Sequence, residues 1–256
     1  MIRKGAKRIS DIPLEILNQL NQGTLETVNL MECLAIDFKL LLSHCFPSLS
    51  NELLEKVNVN AKQTWLAKMR LASEILYQNY GEEIIETLLI HPSDTLRGLV
   101  APIIALIPNL SLEECLTRIK PLANDRHFGV REAAWLFIRQ IISADIVKAM
   151  DLFQDWVNDS SENIRRFAIE STRPRGVWCN HIAVLKESPE LGISLLTPLH
   201  ADSSRYVQNS VANWLNDAAK SKPDWVKNVC MEWQQLNASK ATEYICKRAL
   251  RNCKTL

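Results

Sequence analysis

DRHFGVREAAWLFIR (Asp125–Arg139) and SSRYVQNSVANWLND (Ser203–Asp217) carry apolar or small residues at the same offsets from Val130 and Val207. They are Val130, Ala133, Ala134, Phe137 and Ile138 in the first, and Val207, Ser210, Val211, Trp214 and Leu215 in the second. Offsets of 0, 3, 4, 7 and 8 keep to one side of a helix turning about 3.6 residues per turn. Three more segments fall into the same register: SDTLRGLVAPII (Ser93–Ile104), SSENIRRFAIESTR (Ser160–Arg173) and ATEYICKRALRN (Ala241–Asn252), anchored at Leu96, Ile164 and Ile245. The steps from anchor to anchor are 34, 34, 43 and 38 residues.

Helix pairs recurring at this variable spacing, without tetratricopeptide or ankyrin signatures, predict HEAT-like repeats. The expected fold is all-α, a right-handed superhelix of antiparallel helix pairs with a concave groove. Short polar residues open the repeats at Ser93 and Asp94, Asp159 to Glu162, and Asp202 to Ser204, where they can accept free backbone amides. Partner helices are expected at 111–122, 144–157 and 222–233, and N-terminal helices at 12–20, 26–44, 49–57, 60–78 and 82–90. The 43-residue step holds the insertion RPRGVW, whose Pro174 and Gly176 predict a helix end near Thr172. One domain is expected over 1–256, with N-terminal helices in 1–90 and the site-bearing repeats in 91–256.

Composition fits this reading. Seven glycines in 256 residues are too few for the turns of a sandwich or barrel. No apolar run is long enough to span a bilayer, and the basic start MIRKGAKRIS lacks a following apolar stretch, so it is expected to be a solvated arm. Seven scattered cysteines without a CxxC pair point to a reducing, cytoplasmic compartment, and five histidines without shared spacing give no metal site. Phosphate-loop, dinucleotide, zinc-protease and serine-hydrolase motifs are missing from the sequence. Net charge is +1, but residues 91–175 use nine arginines against two lysines.

On the helical wheel, offsets 1, 2, 5, 6 and 9 oppose the apolar stripe. They hold Arg97, Arg131 and Arg165 at offset 1, Arg166 at offset 2, and Arg139 and Arg173 at offset 9. Stacked repeats would turn these into ladders lining a groove, suited to tracking the phosphates of a nucleic acid. The same face carries Glu132, Trp135 and Glu170, with Asp217 at its edge, and no lysine in the four repeats anchored at Leu96 to Val207. Each carboxylate also has a plain structural alternative, Glu170 pairing with Arg166 or Arg173 and Asp217 with Lys220.

ESTRPRGVW (Glu170–Trp178) resembles the EGxRPRLPW stretch of the AlkC branch of bacterial DNA alkylation repair glycosylases, and SRYVQNSVANWLND (Ser204–Asp217) resembles its SEYVRRSVANHLND. ISDIPLEILNQLNQGTLETVNLMECLAIDF (Ile9–Phe38), HPSDTLRG (His91–Gly98) and KRALRN (Lys247–Asn252) are similar to corresponding stretches, so the likeness covers nearly the whole chain. This chain departs from the pattern at Gly176–Val177, at Gln208–Asn209 in place of paired arginines, and at Trp214 in place of a histidine. The resemblance implies a HEAT-repeat enzyme that hydrolyses the glycosidic bond of N-alkylated bases; double-stranded DNA is the expected partner, with a monomer and no cofactor expected.

Such a base is already cationic and leaves easily, so the barrier lies in the oxocarbenium-like sugar, which a fixed carboxylate stabilises. Glu170, Asp217 and Glu132 are the candidate carboxylates, Trp135 and Trp178 the candidate stacking rings, and Arg97, Arg131, Arg139, Arg165, Arg166, Arg173 and Arg175 the candidate phosphate contacts. Trp156, Trp225 and Trp233 read as helix packing. Two alternatives stand beside the glycosylase: a non-catalytic protein that recognises damaged or branched DNA, and a protein-binding scaffold.

Overall fold

The computed structural model describes residues 3–58 and 64–253. Residues 60–63 of the helix expected at 60–78 lie outside the described residues. Among the described residues the regular structure is helical, with no strand. The chain divides into two compact units, Met1–Phe137 and Ile138–Leu256, the division falling within one helix.

The first unit holds α1 (Leu14–Asn21), α2 (Leu30–Ala35), α3 (Phe38–Cys45), α4 (Asn51–Asn58), α5 (Trp65–Tyr80), α6 (Ile84–Leu89), α7 (Asp94–Gly98), α8 (Val100–Leu106), α9 (Leu112–Ala123) and the start of α10 (Phe128–Ala144). The second holds the rest of α10, then α11 (Ile146–Leu152), α12 (Gln154–Val157), α13 (Glu162–Ser171), α14 (Ala183–Glu187), α15 (Ile193–Leu196), α16 (Arg205–Ala219), α17 (Pro223–Leu236) and α18 (Lys240–Ala249). Helix α16 is the hub of the second unit, packing on α13, α17 and α18. In the first, α8 packs on α5 and α9.

The repeat register holds. All five stripe residues of α10 and all five of α16 are buried. Ser93, Ser161, Ser204 and Ser239 cap α7, α13, α16 and α18 with side-chain oxygens that accept backbone amides. Breaks differ from expectation where a local constraint overrides the apolar period. The repeat helix at 93–104 splits into α7 and α8 because Pro102 has no N–H for the carbonyl of Gly98. The stretch 26–44 splits because Asp37 caps α3, accepting Leu40 N at 3.1 Å. The helix expected at 144–157 divides at Phe153.

Two expectations of exposure are corrected. The N-terminal arm is anchored at Arg3, although Lys4, Lys7 and Arg8 are exposed as expected: Arg3 Nη1 lies 2.5 Å from Oε1 of buried Glu32, and Arg3 Nη2 donates to the Glu26 carbonyl at 2.7 Å. The offset-1 arginines do not form an open ladder. Arg97 Nη1 donates to the carbonyls of His91 and Pro92, Arg131 Nη1 to those of Asp125 and Arg126, and Arg165 Nη1 to those of Asp159 and Ser160, at 2.7–3.0 Å. Each therefore folds back over the turn before its own helix.

The guanidiniums of Arg97 and Arg165 then fork onto the carboxylates of Asp125 and Asp202, five residues before the next anchor, with shortest contacts of 2.8 and 2.7 Å. Asp125, Asp159 and Asp202 also accept the backbone N–H two residues on, fixing the turn. Gln208, at the same offset in α16, keeps half of the device by donating to the Asp202 carbonyl at 2.6 Å. All three arginines recur in register because each bonds the turn before its helix, and Arg97 and Arg165 also staple one repeat to the next.

Arg97 is 2% exposed and also contacts Glu26 at 2.5 Å. Removing it takes the forked cation from largely buried Asp125, while Glu26 keeps Arg126 at 2.8 Å, and breaking a buried pair costs about 3 kcal/mol or more. Arg97→Ala is expected to lower the urea unfolding free energy by about that amount, with Arg97→Lys recovering little because the fork is lost. A change below about 0.5 kcal/mol, ordinary for a surface substitution, would show that the residue is not a staple.

Candidate active site

Helix α13 stops where its sequence forces it to. Pro174 has no N–H, α13 ends at Ser171, and the orphan carbonyls find side-chain donors. Buried Arg139 supplies three: Nη1 to Ser171 O at 2.6 Å, Nη2 to Arg173 O, and Nε to Asn180 O at 3.2 Å. Trp214 Nε1 donates to Thr172 O at 3.0 Å, from the position where the AlkC-like pattern has histidine. Gly192 makes room for that indole, since a Cβ there would collide with the ring. Arg139 is thus the bracket of the 171–180 segment, which corrects its expected place on an open face.

Three residues on α13 and its end meet three on α16. Arg166 lies over the Tyr206 ring at 4.2 Å, Glu170 Oε1 accepts the Ser210 hydroxyl at 2.7 Å, and Arg173 reaches Asp217. Arg173 bridges both acids. Its Nη2 and Nε donate to Asp217 Oδ2 at 2.7 and 2.9 Å, and its Nη1 donates to Glu170 Oε2 at 3.1 Å. Both acids are 4% exposed. The other oxygen of Asp217, Oδ1, accepts Lys220 Nζ at 3.1 Å, so a lysine does reach this site, contrary to the wheel. Lys220 is 47% exposed and also lines a cavity of about 260 Å³ with Asn216, Ala219, Pro223, Asn252 and Cys253.

Burial acts to raise the Glu170 carboxyl, but the charges of Arg166 and Arg173 and the Ser210 hydroxyl outweigh it and hold it below its ordinary value. The same acids hold the Arg173 guanidinium more firmly protonated, against its burial. Glu170 is therefore an ionised group at neutral pH, suited to stabilising a cation and unsuited to donating a proton.

The loop after α13 is closed by Ile182 N donating to Pro174 O at 3.1 Å. At its tip Trp178 is 60% exposed and Val177 59%. Trp178 has φ +64°, a region that non-glycine residues enter at a cost of order 1 kcal/mol and that clusters at functional sites. Arg175 Nη2 donates to Ser221 Oγ at 2.7 Å, tying the loop to the end of α16.

The second unit thus gathers Glu170, Asp217, Arg139, Arg166, Arg173 and Arg175, with Trp178 on the loop. Glu132 and Trp135 lie in the first unit, where Trp135 Nε1 donates to Glu132 Oε2 at 2.9 Å. Trp135 is 4% exposed, which corrects its expected place on an open face: the indole folds back along its helix onto Glu132. The residue that the sequence pattern does not single out is Ser210, which falls in the apolar stripe of α16. Its hydroxyl donates to Glu170 Oε1 and lies 3.4 Å from the carbonyl of Tyr206, four residues back. The available signal was a lone hydroxyl in an otherwise apolar stripe, since a buried hydroxyl needs a polar partner.

Comparison with known proteins sets this geometry in context. Residues 132–252 match the family model described as DNA alkylation repair enzyme. The Bacillus subtilis (strain 168) protein YhaZ is 29% identical over 189 residues, which make up 72% of this chain and 51% of that one. The Pseudomonas fluorescens alkylpurine DNA glycosylase AlkC, solved bound to DNA containing an abasic site analog, superposes with a TM-score of 0.68 at 24% identity, covering 96% of this chain and 65% of that chain. AlkD2 from Streptococcus mutans gives 0.55 at 21%, covering 85% of this chain and 98% of that one. At these identities the structural likeness speaks for the fold. The chain spans about half the length of the curated relative it matches.

The lowered Glu170 carboxyl sets a pH dependence. Its folded value lies below its ordinary 4.5, so the unfolded chain binds the proton more tightly, and the stability this group contributes is full above about 4.5 and lost as pH falls through the lower folded value. Urea midpoints measured downward from about pH 6 are expected to fall less steeply for Glu170→Gln than for the wild type in that acid window. Parallel acid limbs for the two proteins would contradict the assignment.

Proposed function

We propose, from the match of residues 132–252 to the DNA alkylation repair enzyme model, that the protein is an N-glycosylase acting on cationic, N-alkylated bases in double-stranded DNA. The observation that carries the reading is the pair of buried carboxylates, Glu170 and Asp217, held by one guanidinium beside a loop that exposes Trp178. A cationic base departs without protonation, so the enzyme needs no carboxylic acid. It needs negative charge beside C1′ as the sugar turns oxocarbenium-like, and a means of orienting water.

Glu170 and Asp217 supply that charge. Arg173 fixes their positions, so little reorganisation accompanies the reaction. Displacement of half-exposed Lys220 opens Asp217 Oδ1 to the sugar or to the attacking water. Trp178 offers a π-face to the electron-poor base. Glu132 is the third carboxylate of the proposal.

One observation favours a second reading, recognition of damaged DNA without catalysis: the Arg173 bridge neutralises part of the charge that catalysis would use. Base release separates the two. Methylated DNA incubated with the wild type is expected to free alkylated bases, detected by chromatography. Glu170→Gln and Asp217→Asn are each expected to slow single-turnover release about 100-fold, equivalent to about 3 kcal/mol, with DNA still bound. Binding without base release by the wild type would favour the second reading, and full activity in both variants would move the site elsewhere.

A further inference from the structure

With Arg165 committed to stapling, a different set of cations in the second unit remains for a ligand. Exposed Arg205 lies over the Tyr244 ring at 3.5 Å, and half-buried Arg248, its Nε enclosed, lies over the same ring at 5.5 Å. The Tyr244 hydroxyl donates to Asn209 Oδ1 at 2.7 Å, which fixes the ring between α16 and α18. One turn further along, exposed Arg251 donates to Asn213 Oδ1 at 3.1 Å. Arg205, Asn209, Asn213 and Asp217 follow one another at four-residue steps on α16, so the row runs from Arg205 to the candidate carboxylate over twelve residues, about 18 Å of helix.

A guanidinium stacked on an aromatic face gives up hydration on that face, keeps its plane, and presents its edge N–H groups outward in the fork that suits phosphate. Two such groups on one ring, followed by a third at the next turn, make a linear cationic track rather than a point site. Eighteen ångströms correspond to about five steps of 3.4 Å along one strand of a duplex.

We propose that Arg205, Arg248 and Arg251, with Tyr244 as their shared platform and spacer, form a rail for the sugar-phosphate backbone of the DNA strand leading away from the carboxylate site. The proposal rests on the glycosylase reading for what lies at the end of the rail, but its test needs neither damage nor catalysis. The rail reads charge and spacing, so it binds without regard to base sequence.

The test is binding of an undamaged duplex by fluorescence anisotropy across a series of salt concentrations. Each phosphate contact contributes about 0.9 to the slope of log affinity against log salt. The double variant Arg205→Ala, Arg248→Ala is expected to bind more weakly on every sequence, with a slope shallower by about 1.8. Lys227→Ala, which removes an α17 cation paired with Asp224, is expected to keep the wild-type slope. Tyr244→Leu, which removes the platform but no charge, is expected to weaken binding with a smaller change in slope.

A double variant with the wild-type slope, or a wild type without salt-dependent DNA binding, overturns the rail. Base release from methylated DNA on the same preparations reports separately: a rail-dependent slope without base release upholds the rail and fails the glycosylase, and base release with an unchanged slope does the reverse.

Discussion

Two carboxylates share one guanidinium in the interior of the second unit, and much of the surrounding architecture serves that contact. A buried acid without a cation would shed its charge or unfold its surroundings. Glu170 and Asp217 keep theirs because Arg173 lies between them, with Arg166, Ser210 and Lys220 on the remaining oxygens. For Arg173 to reach across, α13 has to end directly behind it. Pro174 enforces that end, and Arg139 and Trp214 take the carbonyls it leaves. Loop closure, left-handed Trp178 and the hold of Arg175 on Ser221 are downstream of the same helix end.

The arginines divide by where their donors go. Arg97, Arg131 and Arg165 bond the carbonyls of the preceding turn, and for Arg97 and Arg165 a carboxylate of the next repeat completes the staple. Arg139 and Arg173 serve the site from within. Arg166, Arg205 and Arg248 are stacked on tyrosines. Forked geometry suits all three uses, which is why arginine outnumbers lysine so strongly in the middle of the chain.

The helices and their buried stripe were legible because burial repeats with the helical period and the serine caps are local. The candidate cluster was legible in part: Glu170, Arg173 and Asp217 sit in the motifs that carry the resemblance, and the alternative pairings named for the two acids both occur. What the wheel missed has a common cause. Angle about an axis says which side a Cα faces, but a long side chain in the first turn can fold back over the preceding loop, as Arg97 and Arg165 do. The clue was present in the sequence, an aspartate five residues before the anchors Val130, Ile164 and Val207 matched by a donor one residue after each. Trp135 was misplaced likewise, because its indole turns along the helix to Glu132. The docking of Arg3 on Glu32 joins residues 29 apart, which no local pattern encodes.

The central claim is that fixed, ionised carboxylates do the chemistry, with no residue donating a proton to the departing base. The pH dependence of single-turnover base release tests it most directly. A rate that is level through the neutral range and declines only in acid, as Glu170 takes up a proton below its ordinary 4.5, is the predicted profile. A rate that also falls with an alkaline limb between about pH 6 and pH 9 would reveal an essential general acid and contradict it.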